Sequence, residues 1–296
     1  MAESVMRRRI VCLALAGGIG LSVAARVLWV GEGCPYRMPS LAAAAAKDGD
    51  TVEIAPGTYK GDVCVWRANR LTIRGAGAAR TILDADGRCC QGKGTWIVRG
   101  QDCTISGMSF RGASCKDRNG AAIRYEADGA LSLVDCRFTE NENGILCGVL
   151  PKATVKITGC IFDRNGAGDG YSHNLYIGKI ARLELERCSS HHARVGHNLK
   201  SRAMTMVVRD CTFDDGRDGT SSYLVDCPNG GRVSLVRCRF VQAPTASNGT
   251  MVSIGEEGAC PASSLLLADC TFVNHRSSGR EVFVAPSVQF TRRSQK

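Results

Sequence analysis

A chain of 296 residues is long enough for one large domain or two small ones. Aromatics make up only 6% and glycine contributes 34 residues, with Val, Ile, Leu and Thr in short bursts, so many short strands joined by turns are expected. The net charge of +10 favours a polyanionic partner (nucleic acid, a membrane surface or an acidic polysaccharide), and beyond the N-terminus no segment is apolar and long enough to cross a bilayer as a helix.

Residues 1–25 read as an export signal. Arg7, Arg8 and Arg9 form a basic start, Ile10 to Val23 is almost wholly apolar, and Ser22-Val23-Ala24 has the small-x-small form of a cleavage site. A retained N-terminal membrane anchor is the alternative, but Arg26 interrupts the apolar run short of the ~20 residues a span needs. The expected location is therefore periplasmic or extracellular, with no stable membrane insertion after cleavage. Sixteen cysteines in an exported chain first suggest a disulfide scaffold. Their spacing points elsewhere.

From Ser40 the chain reads SLAAAAAKDGDTVEIAPGTY. Ser40 is a candidate N-cap for a short helix over 40–47, and Gly49 ends it before an alternating strand, Thr51 to Ile54. Such a helix would shield the open end of a sheet.

One octamer then recurs: Cys103–Phe110, Leu131–Phe138, Val155–Phe162, Leu183–Ser190, Met206–Phe213, Val233–Phe240 and Leu265–Phe272. Start-to-start intervals are 28, 24, 28, 23, 27 and 32 residues, which implies a fixed strand pair with variable loops. Apolar residues fill the first, third, sixth and usually eighth positions, and a bend falls near the fifth, a position that Arg187 and Arg237 suit less well than Gly or Asp. A shorter strand precedes most copies, placing Ile123, Ile145, Leu175, Leu199, Leu224 and Val252 on one inward line. Leucine-rich repeats lack this pattern and propeller blades need longer repeats, so the expected fold is all-β: a single-stranded parallel β-helix, or solenoid, over 33–290 with a basic tail at 291–296.

Cys136, Cys160, Cys188, Cys211, Cys238 and Cys270 all take the sixth octamer position. Stacked coils repeat at about 4.8 Å, and parallel Cβ atoms at that spacing lie beyond the ~3.8 Å typical of a disulfide. Free buried thiols are expected there. The irregular cysteines, Cys34, Cys64, Cys89, Cys90, Cys115, Cys147, Cys227 and Cys260, are the bridge candidates, with the pairing open.

The capping helix followed by GDTVEIAPGTY, together with the octamer ladder, resembles right-handed parallel β-helix proteins of the pectate-lyase-like superfamily over roughly residues 38 to 285. The run HNLYIGKIARLELERCSSHHARVGHNLKSRA also resembles a stretch of bacterial β-helix proteins for which no particular activity is implied. The resemblance implies a right-handed coil and a polysaccharide ligand. Its members include lyases, hydrolases, esterases, epimerases and adhesins, so it selects no reaction. The aspartate-rich calcium signature of pectate lyases is not recognisable, so no cofactor is expected, with calcium left as a possibility that the residues do not support.

The stretch from His173 to Arg202 holds four of the five histidines, and His173-Asn174-Leu175-Tyr176 is echoed 24 residues later by His197-Asn198-Leu199-Lys200. Alternation would put Asn174 and Asn198 in one outward column and Arg124, Tyr176 and Lys200 in the next, with Arg202 beyond and His191, His192 and Arg194 in the loop before. Asp226 falls in line with inward Ile177 and Ser201, either as a satisfied buried carboxylate or as the early end of its strand.

An acidic polysaccharide suits these groups. Lys200, Tyr176, His197, His173 and Arg202 are the candidates for proton transfer at C5 of a uronate, with Lys200, Tyr176 or a histidine as base. Asn174, Asn198, Arg124, Arg194, His191 and His192 are candidates for holding the sugar and its carboxylate. β-Elimination gives a lyase and reprotonation from the other face an epimerase; the residues do not separate them. A non-catalytic envelope glycan-binding protein is one alternative. A glycoside hydrolase using a pair from Asp169, Asp215, Asp218 and Asp226 is another. A zinc site on the histidines lacks supporting spacing, and nucleic acid lacks a motif or a stacking platform. A monomer is expected.

Overall fold

A computed structural model describes residues 26–294; the expected export signal lies outside them. The chain winds into three parallel sheets of 11, 9 and 9 strands. The first runs from Val27–Val30 to Gln289–Arg293, the second from Gly57–Lys60 to Thr271–Asn274, and the third from Cys64–Trp66 to Arg280–Val284. Each strand pairs in parallel with its equivalent one coil away, as between Ala130–Val134 and Leu150–Thr158. The strands start six residues before the expected boundary at 33, and the last one enters the stretch expected as a tail.

The octamer is one strand of the first sheet, a bend, and one strand of the second. Leu131–Phe138, for example, spans Ala130–Val134 and Arg137–Thr139. The fifth position is left-handed in every copy: φ is +67° at Gly107, +50° at Asp135, +65° at Gly159, +50° at Arg187, +54° at Asp210, +49° at Arg237 and +54° at Asp269. Arg187 and Arg237 thus adopt a backbone that glycine and Asp take more readily. Arg237 is held there by two hydrogen bonds to Asp210, its equivalent one coil earlier, at 2.6 and 2.9 Å.

Inside the coil, equivalent side chains stack. Phe110, Phe138 and Phe162 lie 5.4 and 4.8 Å apart between ring centroids, and Phe213, Phe240 and Phe272 5.4 and 4.9 Å apart. Ser190 takes the intervening place and breaks the aromatic column. The six sixth-position cysteines are free thiols, buried except for half-exposed Cys270, and the backbone N–H groups of Cys136 and Cys188 point at the sulfurs of Cys160 and Cys211 at 3.4 Å. Of the bridge candidates only Cys89 and Cys115 are joined; Cys34, Cys64, Cys90, Cys147, Cys227 and Cys260 are free.

The helix runs Pro39–Ala45 rather than 40–47, with Met38 at the N-cap and Pro39 in the first turn. Proline's fixed φ and missing N–H suit that first turn. Ser40 is inside the helix and donates its backbone N–H to Asp62 at 2.9 Å. Buried Pro39, Ala42 and Ala43 lie on the face by which the helix packs on Cys64–Trp66 and Val27–Val30, the end strands of the third and first sheets. Two sheet edges are thereby shielded.

Candidate functional site

The third sheet includes the short strands Leu175–Ile177, Leu199–Ser201 and Val225–Cys227. Hydrogen-bond register aligns Arg124, Leu146, Tyr176, Lys200, Asp226 and Ser253 in one outward column. This corrects the sequence alignment by one residue: Val225, not Leu224, stands level with Leu199 and Val252, and Asp226 joins Lys200 instead of Ser201. Leu224 and Val225 are both apolar and both fully buried, so a slip between them leaves no trace in the hydrophobic pattern.

Asn174 and Asn198 are not on the outer face. Both are fully buried, because the strands begin only at Leu175 and Leu199 and the preceding residue still lies in the corner entering from the second sheet. The Asn174 amide accepts hydrogen bonds from the Asn165 backbone and side chain at 3.0 and 2.8 Å and donates to Asn198 at 2.8 Å, to Ser190 at 3.0 Å and to the His191 carbonyl at 2.7 Å. Asn198 in turn donates to Asp215 at 2.8 Å, whose other oxygen accepts from Ser221. Burial pushes the Asp215 carboxyl upward against these donors. The asparagines therefore serve the interior, and Asp215 cannot reach a ligand.

His173 and His197 are buried as well, with ring centroids 4.6 Å apart, and His173 Nδ1 accepts the His197 backbone N–H at 2.9 Å. Burial, reinforced by neighbouring positive charge, lowers the pKa of both, His173 well below its ordinary value and His197 to about 3. Both rings are neutral near pH 7.

Lys200 stands above them. Its Nζ lies 3.5 Å from Asp226 Oδ2, and His197 Nε2 approaches the same oxygen at 3.5 Å. Asp226 Oδ1 is buried without a hydrogen-bond partner. Burial raises the Asp226 pKa from 3.8 to about 6, against the pull of Lys200. Glu257 lies 3.7 Å from Lys200 and 2.8 Å from Arg202, and the hydrogen bond from Arg202 holds its carboxyl below the usual range. Arg202 Nη1 also donates to Asn229 Oδ1. Nearby, Tyr223 and Ser253 donate to Glu256 at 2.6 and 3.1 Å. Next to Arg202 opens a cleft of about 230 Å³ lined by Lys179, Met204, Asn229, Gly258 and Cys260 among others.

The remaining candidates do not join this cluster. His191 and His192 close a strand of the second sheet and open the loop after it; their Nδ1 atoms face the Asp214 carbonyl at 3.1 Å and Asp163 Oδ1 at 3.0 Å. Arg194 is exposed on that loop, where its backbone packs over Gly166. Arg124 shares the Lys200 column but lies three rungs away, beside Glu126. Asp169 is spent on turn hydrogen bonds to Tyr171 and Ser172, and Asp218 is exposed near His192. Sequence reasoning missed Glu257, Glu256, Tyr223 and Asn229, which come from loops and strand ends outside the repeat. Among the described residues no group of three or more His, Cys, Asp or Glu is arranged to hold a metal ion.

No protein-family profile matches the chain, and no curated protein matches it by sequence. Solved structures do. The pectate lyase Pel9A aligns with a TM-score of 0.64 at 10% identity, over 91% of this chain and 76% of that one. Pectin methylesterase PemA from Erwinia chrysanthemi aligns at 0.58 and 10% identity, over 90% and 92% of the two chains. An alginate lyase from Paenibacillus sp. str. FPU-7 aligns at 0.53 and 13% identity, over 89% and 99%. At such identities the likeness shows the fold, a right-handed parallel β-helix, as expected from the sequence.

Proposed function

We propose that the protein is an exported, monomeric, cofactor-free enzyme acting on an acidic, uronate-containing polysaccharide, with Lys200 taking the C5 proton. The observation that carries this reading is Lys200 itself: a partly exposed amine in the outward column of the third sheet, backed by the buried Asp226 carboxylate at 3.5 Å and two residues from Arg202, which lines a cleft. The solved structures of similar fold whose names include pectate lyase and alginate lyase support the substrate class.

In the proposed reaction Lys200 Nζ takes the C5 proton, and the electron pair moves onto the uronate carboxylate as an enediolate. Arg202 pairs with that carboxylate in exchange for Glu257. In a lyase the C4–O bond then breaks, the double bond forms between C4 and C5, and Tyr176 protonates the leaving oxygen. In an epimerase a proton returns to C5 from the opposite face. Asp226 is too deeply buried to touch the sugar and acts as a positioning residue, stabilising the ammonium formed at Nζ. Neutral His197, packed against His173, holds Asp226 Oδ2 from its other side.

Incubation with a panel of polyuronates tests the reading. Ultraviolet absorbance of unsaturated product, or exchange of the C5 hydrogen with solvent, should appear with the native protein and vanish in Lys200→Ala while cooperative melting shows that the variant is folded. Full activity in that variant, or binding without turnover of any uronate, would sink the catalytic assignment.

A further inference from the structure

Three coils before Lys200, the same outward column passes a second polar cluster. Glu126, just after the strand Ala121–Tyr125, meets Lys93 Nζ at 2.5 Å, Arg99 Nε at 2.9 Å and Arg124 Nε at 3.6 Å. Gln91 accepts a further hydrogen bond from Arg99 at 2.8 Å. Three cations share one carboxylate, which leaves two positive charges in excess. These side chains are held partly out of water, with exposures of 39% for Lys93, 29% for Arg99 and 19% each for Arg124 and Glu126. Arg124 Nε is buried and has no hydrogen-bond partner, the Glu126 oxygen being too far for one.

A surface ion network ordinarily balances its charges, because like charges held together and partly desolvated repel. Here the balance is missing, and a guanidinium donor is left over. Glu126 keeps the three cations in fixed positions, so an arriving anion meets donors that are already oriented.

We propose that Lys93, Arg99 and Arg124, arranged by Glu126, form a carboxylate-binding subsite for a second uronate of the same polysaccharide chain. The assignment rests on the uronate reading given above and extends it to the ligand's length. Register places Arg124 three rungs from Lys200 by way of Leu146 and Tyr176, which is about 14 Å at the spacing between strands. The partly exposed Tyr176 ring lies in the interval and offers an apolar face for the C–H side of an intervening sugar. The subsite therefore favours an oligouronate long enough to reach both ends and gives a short one no second anchor.

Calorimetric titration with galacturonate trimer and hexamer, and with a neutral glucan hexamer as control, tests this. The native protein should bind the acidic hexamer at least tenfold more tightly than the trimer and should ignore the neutral one. Arg99→Ala and Arg124→Ala should each weaken hexamer binding about tenfold or more, the loss of one charged contact. Arg99→Lys should retain most of it. Glu126→Gln should tighten hexamer binding, since the amide oxygen still accepts from the cations and orients them but no longer neutralises one of their charges; a purely structural network predicts no such gain. Melting curves establish that each variant is folded. If hexamer affinity is unmoved by Arg99→Ala, Arg124→Ala and Glu126→Gln, or if no acidic hexamer binds, the subsite is wrong. If hexamer binds with these sensitivities but is never turned over, the subsite stands and the catalytic reading falls.

Discussion

Asp226 shows what a single residue does at this site. Its folded pKa of about 6 lies above the ordinary 3.8, so between those values the unfolded chain has lost a proton that the folded protein keeps. Stability contributed by this group is therefore complete below about pH 4 and is lost as pH rises toward 6, by roughly 3 kcal/mol for a shift of about two units. Asp226→Asn removes the ionisation. The variant should melt higher than the native protein at pH 7, with the difference disappearing near pH 4, and its turnover of uronate should fall, because the ammonium at Lys200 loses its counter-ion. Thermal denaturation of both proteins from pH 4 to pH 7 reads the first effect; a stability difference that does not vary with pH would refute it. Tyr176 and Lys200 were legible in the sequence because they sit within strands whose alternation is clear, and Arg202 follows directly on the second of these. The place of Asp226 beside Lys200 was not, because the loop after the strand Thr212–Asp214 hides a one-residue shift between two apolar neighbours. Asn174 and Asn198 misled for a related reason: they precede their strands, where alternation no longer says which way a side chain points.

At the scale of the elements, the octamer explains most of the coil, and its one internal exception is informative. Ser190 occupies the place of a phenylalanine, and its hydroxyl donates to the Asn198 carbonyl oxygen at 3.1 Å and side-chain oxygen at 3.0 Å while accepting from Asn174. The missing ring makes room for the buried amides that tie the second sheet to the strands bearing Tyr176 and Lys200. Ser190→Phe restores the aromatic column on paper, joining Phe162 to Phe213. It should nevertheless destabilise the protein, by about 1–3 kcal/mol from overpacking and more from the amide groups left unpaired. Urea denaturation of the variant measures this, and a rise in the midpoint would mean that aromatic stacking outweighs the polar ladder. The octamer ending in Ser190 was visible in the sequence, but its cause was not: the partners come from the neighbouring coil and from Asn198, which only register brings within reach.

For the whole molecule, periodicity carried the architecture. Seven octamers at unequal intervals can stack only if the loops bulge outward from a constant coil, and three parallel sheets are the result. The same stacking bears on the cysteines. A protein expected to meet an oxidising compartment has 13 free thiols among its described residues and one disulfide, Cys89–Cys115. Two physical facts reconcile these. Neighbouring sulfurs of the ladder are held by parallel strands at the rung spacing, too far apart at Cβ for bridge geometry, and burial keeps oxidants and the reactive thiolate form away. Nine of the free cysteines are buried, and Cys34, Cys90, Cys260 and Cys270 are half-exposed. Thiol titration of protein beginning at residue 26 should accordingly find at most four reactive groups in the native state and 13 after denaturation without reductant. Intermediate counts in rising denaturant would follow the coils as they open, since each rung is held chiefly by its two neighbours. A denatured count near zero would mean that the ladder sulfurs are crosslinked, and strands bridged in that way could not keep the register that places Lys200 beside Asp226.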